Sequence, residues 1–156
     1  MDAEAGVAGQ PGLDLGGVVG GVVVADQMHA KAGALALLAA LDVRTGQVFA
    51  STPATTGIGP FMALMGQLMS QQPYASAPRV FVIMDNGSDH RGQAAIDRLR
   101  NAHPNAIMIH TPVHAPWLNQ AEIIFSIVQK KVISPNDFTS TSHLAATLLA
   151  FTDRYN

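Results

Sequence analysis

The chain has 156 residues, no cysteine and a formal charge of −2 with histidine neutral. That length suits one domain with a core of its own. The missing thiols exclude disulfides and cysteine-ligated zinc, and the charge argues against a stand-alone nucleic-acid-binding module, which carries a basic surplus.

Residues 1–34 hold eight of the 14 glycines, a single Lys or Arg (Lys31) and no aromatic residue. Val18–Asp26 reads as a β-strand weakened by its glycine pair, or else the segment is a poorly ordered leader. Ala34–Val43 is a continuous apolar run, Arg44-Thr45-Gly46 a turn, and Gln47–Ser51 a second apolar run; together they predict a β-hairpin. Thr55-Thr56-Gly57 and Pro60 announce a helix, with Phe61, Leu64, Met65, Leu68 and Met69 on one face at i, i+3, i+4 spacing. Gln71–Pro78 is a loop. Arg79–Met84 is a short buried strand ending at Asp85-Asn86-Gly87. A helix is expected over Arg91–Asn101, a strand over Ala106–His110 and a loop over Thr111–Trp117. A further helix runs from about Asn119 to Val132, with Ile123, Ile124, Ile127 and Val128 inward. The last helix carries Leu144, Leu148, Phe151 and Tyr155 on one side. This alternation predicts an α/β sheet whose late strands are parallel and joined by crossover helices. In such sheets, sites gather beyond the carboxyl ends of strands.

Two segments stand out chemically. Asp85-Asn86-Gly87-Ser88-Asp89-His90 puts a carboxylate at a strand tip. His114-Ala115-Pro116-Trp117-Leu118-Asn119-Gln120-Ala121-Glu122 puts another in the first turn of a helix. Carboxylates converging at one sheet edge repel one another unless a cation sits between them. Oxygen donors without thiolate suit Mg²⁺ or Mn²⁺, and such ions serve phosphodiester chemistry. Spacing alone leaves bland readings open. Asp85 can open the Asn86-Gly87 turn, Glu122 can close a capping box begun by Asn119, and Trp117 can anchor its loop rather than stack on a base. His90 and His114 can be ordinary loop histidines.

The runs VFVIMDNGSDHRGQ, IHTPVHAPWLNQAEIIFSIVQKKV and FTSTSHLAATLLAFTDRYN resemble the second half of mariner-like DDE transposases from bacterial insertion sequences. The resemblance extends from about Gly33 to Asn156. Its most specific part pairs the strand-end Asp85-Asn86…His90 with Pro116-Trp117-Leu118-Asn119-Gln120-x-Glu122. It implies a ribonuclease-H-like mixed sheet with flanking helices, an incomplete catalytic domain over residues 33–156, and a glycine-rich leader or opening strand over 1–32. It makes Asp85 and Glu122 the second and third catalytic, metal-holding carboxylates. His90 and Asn119 would line the site, and Trp117 is a candidate substrate contact. The family's first aspartate has one candidate here, Asp26, on a segment of unfamiliar sequence; either it serves as that carboxylate or the true segment is lost. No helix-turn-helix is recognisable, so the chain reads as a fragment or a degenerate copy.

The resemblance implies metal-dependent DNA strand cleavage and transfer, with Mg²⁺ or Mn²⁺ as cofactor. Element ends and target DNA would be its partners, and a homodimer one option for its assembly. An inactive remnant that keeps the fold, and a ribonuclease-H-like nuclease unrelated to transposition, are the alternatives. No apolar run approaches the roughly 20 residues that cross a bilayer, and nothing basic precedes Val18–Ala25 as in a secretory signal. No membrane partner is expected, and the cytoplasm is the default location.

Overall fold

The computed structural model of the protein describes residues 22–30, 33–84, 92–112, 120–135 and 137–156, with 22–30 and Gly33 described through the backbone alone. Strands β1 (Val22–Ala30), β2 (Gly33–Leu41) and β3 (Val48–Ser51) form an antiparallel sheet with β2 in the middle. The β1–β2 ladder runs without interruption from Ala30 opposite Gly33 to Asp26 opposite Leu37, and an irregularity follows between Asp26 and Val23. β4 (Val80–Met84) and β5 (Ala106–His110) form a parallel pair in register from Val80 opposite Ala106 to Met84 opposite His110. Helix α2 (Gln93–Ala102) lies between them in sequence, as a parallel pair requires a crossover.

Alanine-rich β2 is a strand because both of its edges are paired and both of its faces are covered, the setting in which strands read as unbroken apolar runs. Its alternation divides the interior in two. Leu38 and Ala40 join Phe49, helix α1 (Ile58–Met69), Val80, Val82 and Met84 of β4, and Leu99 of α2 in one core. Leu37, Ala39 and Leu41 join Val48, helix α3 (Ala121–Val128), its continuation as a π-helical turn over Gln129–Ile133, and helix α4 (Thr141–Tyr155) in the other. The result is a layered arrangement, with α1 and α2 on one side of the strands and α3 and α4 on the other.

The face of α1 is the one its periodicity predicts: Phe61, Leu64, Met65, Leu68 and Met69 are all buried. Other expectations need correction. The hairpin was expected to share one sheet with Arg79–Met84 and Ala106–His110, but pairing among the described residues falls into two groups, β1-β2-β3 and β4-β5. β1 lies alongside β4 without a hydrogen-bonded ladder between them. The opening strand reaches Ala30 rather than ending at Asp26, while positions 18–21 fall outside the described residues. On α3 the buried stripe is Ala121, Ile124, Phe125 and Val128. Ile123, expected inward, is 57% exposed, and Ile127 is half-buried. On α4, Leu144 and Leu148 are buried, Phe151 is half-buried and Tyr155 is exposed.

Candidate active site

Three strand and helix ends matter here, and the backbone relates them. A buried hydrogen bond joins Asp42, just past β2, to Tyr74, in the segment leading to β4. Asn105, at the start of β5, donates its side-chain amide to the carbonyls of Tyr74 and Ala77, both at 2.9 Å. The end of β2 and the starts of β4 and β5 therefore share one end of the domain. β4 runs opposite to β2 and hence in the same sense as β1. The far ends of β4 and β5 point to the other end, where the chain continues into Asp85 after Met84 and towards α3 after His110.

Glu122 lies in the first turn of α3, exposed to solvent. Its carboxylate has no protein partner among the described residues, and a helix N-terminus favours negative charge there. The helix begins after Gln120, which makes no side-chain cap bond, so Glu122 is its second residue; Asn119, the cap of the capping-box reading, lies outside the described residues. Asp26 lies on β1 in register with Leu37. β1 is the element that touches both β4, which leads into Asp85, and α3, which carries Glu122. Asp85, His90, Trp117 and Asn119 lie outside the described residues, as do Asp89 and His114. Among the described residues, no three His, Asp or Glu side chains gather as a metal site.

The opposite end holds a polar feature that sequence reading missed. Asp42 is 1% exposed. It accepts from the Tyr74 hydroxyl at 2.7 Å and from the Arg44 amide at 2.9 Å. Burial pushes its carboxyl up, but the hydrogen bonds from Tyr74 and from Arg44 and Thr45 outweigh that and leave it below the usual carboxylate value. Burial and the adjacent carboxylate push the Tyr74 hydroxyl well up, so it stays a donor. Gly46, with φ 78°, closes the turn, its amide donating to the Asp42 carbonyl at 2.7 Å. This assembly ties the hairpin to the starts of β4 and β5.

The profile of the family described as "DDE superfamily endonuclease" matches residues 18–145. The match begins upstream of Gly33 and so takes in β1. A comparison with curated proteins gives no match. Among solved structures, the chain is similar to one in the simian T-cell lymphotropic virus intasome bound to the PP2A regulatory subunit B56 gamma. The TM-score is 0.60 at 13% identity, over 86% of this chain and 48% of that one. It is also similar to the catalytic core domain of BIV integrase, with a TM-score of 0.52 at 14% identity, over 83% of this chain and 80% of that one. At such identities the likeness is one of fold, and the fold is that of the retroviral integrase catalytic cores, ribonuclease-H-like. The chain spans about half the length of the intasome protein it matches.

Proposed function

The chain belongs to the DDE superfamily of endonucleases, and from that premise we propose that it cleaves and transfers DNA strands as the catalytic domain of a mariner-like transposase of bacterial insertion sequences. Asp26, Asp85 and Glu122 are the three catalytic carboxylates of this reading. The observation that carries this reading is the position of β1. That strand carries Asp26, touches both β4 and α3, and runs in the same sense as β4. Asp26 is in register with Leu37, which is buried in the core that α3 shares. A triad drawn from β1, the end of β4 and the first turn of α3 thus uses β1 and the two elements that it touches.

Nucleases of this superfamily typically use divalent metal ions. The residues fit such an ion: the donors are all carboxylate oxygens, no thiolate exists in the chain, and the Glu122 carboxylate is unengaged by protein among the described residues. Asp85 and Glu122, with Asp26, would hold Mg²⁺ or Mn²⁺, which when bound would activate an attacking oxygen and stabilise the leaving one. The chain's own contribution is to present the three carboxylates from β1, the end of β4 and the start of α3 and to aim them at one phosphodiester. His90, Asn119 and Trp117 are proposed to contact the DNA beside it.

The test is nicking of supercoiled DNA by the purified chain with Mn²⁺, beside Asp26→Ala, Asp85→Ala and Glu122→Ala. Loss of nicking in all three supports the triad. Loss confined to Asp85→Ala and Glu122→Ala leaves Asp26 a bystander. No nicking by the unsubstituted chain makes it an inactive relative that keeps the fold, and preference for RNA–DNA hybrids over duplex DNA points away from transposition.

A further inference from the structure

The π-helical turn that extends α3 and the last turns of α4 enclose a groove lined by Ile127, Lys131, Phe151, Arg154 and Tyr155. It lies away from Glu122: Ile127 and Glu122 are about 140° apart around α3 at ~100° per residue, on opposite flanks of its buried stripe. Its composition is unusual for a surface that serves only packing. Tyr155 is 42% exposed. It lies 6.1 Å from Phe151, centroid to centroid, with the rings tilted by 37°. Lys131 and Arg154 are both exposed, and neither is paired with a carboxylate among the described residues. The Arg154 Nε donates to the Ala150 carbonyl at 3.2 Å, which fixes the guanidinium along the helix. The nearest acid in sequence, Asp153, is not among the lining residues.

We propose that this groove binds a single-stranded or frayed segment of DNA, with Tyr155 and Phe151 receiving base faces and Lys131 and Arg154 receiving phosphates. Two features select that occupant. Lys131 and Arg154, two exposed cations without a carboxylate partner among the described residues, call for an anionic partner, and the phosphates of a nucleic-acid strand supply that charge at regular spacing. The exposed Tyr155 ring, beside the half-buried Phe151, calls for flat apolar faces, and the combination of aromatic platform and cationic flank is how proteins hold unpaired strands. A duplex keeps its base faces stacked inside and satisfies the cations alone. The inference shares the nucleic-acid substrate of the catalytic reading but not its site or its metal.

The test uses the full chain in EDTA, so that no metal-dependent step contributes, with fluorescent 12-nucleotide single-stranded and duplex oligonucleotides. The variants are Lys131→Glu/Arg154→Glu, Tyr155→Ala, and Arg98→Glu as a charge control on the exposed face of α2. Single strands should bind more tightly than duplex. The double variant should lose at least about tenfold and flatten the salt dependence by roughly 1.4, at about 0.7 per phosphate contact on a single strand. Tyr155→Ala should lose roughly fivefold or more through lost stacking, while Arg98→Glu stays within about twofold. Photocrosslinking with 5-iodouracil oligonucleotides should map to Phe151 or Tyr155. Equal losses in Arg98→Glu and the double variant, or crosslinks confined to the segments around Asp85 and Glu122, overturn the groove and leave the nuclease reading standing. Absence of any oligonucleotide binding overturns it as well. So does a dimer that dissociates in the double variant without crosslinks, which assigns the groove to a second copy.

Discussion

Replacing Tyr74 by phenylalanine removes one oxygen from the interior and keeps the ring, which packs edge-on to Phe49 at 5.8 Å. The lost hydroxyl donates to the Asp42 carboxylate at 2.7 Å, and the two residues are 3% and 1% exposed. A hydrogen bond to a charged group contributes about 1.5–3 kcal/mol. Asp42 keeps the Arg44 amide at 2.9 Å, so the loss should fall near the lower end, about 1.5–2 kcal/mol. Urea unfolding followed by far-UV circular dichroism should show a lower midpoint with an unchanged slope. The pH dependence follows from the lowered Asp42 value. A carboxyl depressed by folding contributes stability that is fully present above its unfolded pKa, near 3.9, and is lost as pH falls through its folded value. The gap between the parent and Tyr74→Phe should therefore hold at pH 7 and shrink below about pH 4. A variant within ~0.5 kcal/mol of the parent at pH 7, or a gap that widens on acidification, would refute this account of the bridge.

Glu122→Gln should cost no more than about 1 kcal/mol, the electrostatic share of a carboxylate at a helix N-terminus, while abolishing nicking; a large drop in melting temperature would return Glu122 to a structural role. On the same helix, Ile124→Ala should cost about 2–5 kcal/mol and Ile123→Ala less than ~0.5 kcal/mol, and the reverse order in urea unfolding would contradict the direction of α3. Mn²⁺ should raise the melting temperature of the chain through binding to the folded state, and Asp85→Ala or Glu122→Ala should remove that rise; a rise that survives both changes places the ion elsewhere.

Much of the layering was legible because it depends on local periodicity. The i, i+3, i+4 stripe of α1 and the bounds of β5 follow from side-chain spacing, which tertiary contacts do not override. α3 was harder: Ile123, Ile124, Phe125, Ile127 and Val128 crowd one segment, and hydrophobicity alone does not say which of them face inward. Ala121 and Phe125 complete the true stripe, and the change to π-helical winding after Val128 has no mark in the composition. Asp42 was hidden for a different reason. An aspartate before Arg44-Thr45-Gly46 looks like an ordinary turn residue, and its partner Tyr74 is 32 positions away. The candidate site divides the same way. The residue types around Asp85 and Glu122 suggest phosphodiester chemistry, but the claim that Asp26 belongs with them depends on which strands β1 touches. The glycine-rich run before it conceals that: seven of the eight glycines of residues 1–34 precede Val22, while β1 itself has none and opens on three valines.

The register of β1 supplies the sharpest remaining test. The ladder from Ala30 to Asp26 is regular, so the β1–β2 connection sets the partner of Asp26, and the irregularity between Val23 and Asp26 affects only what lies upstream. Leu37, the present partner, is buried in the core shared with α3, and its neighbour Leu38 is buried in the core shared with α1. Because successive strand positions alternate between faces, a slip of one residue transfers a position from one face of the sheet to the other. Inserting one alanine between Met28 and His29 should move Asp26 from Leu37 to Leu38 and away from the layer that holds Glu122. Deleting Ala25 should regularise the upstream ladder and leave Asp26 opposite Leu37. If Asp26 is the first carboxylate, the insertion should lower Mn²⁺-dependent nicking by about 100-fold or more, since misplacement of a reacting group by ~1 Å already costs that much. The deletion should stay within about tenfold of the parent. Urea midpoints measured alongside separate lost activity from lost folding. Equal nicking by two folded variants would remove Asp26 from the site, and with it the reason for reading β1 as more than a structural strand.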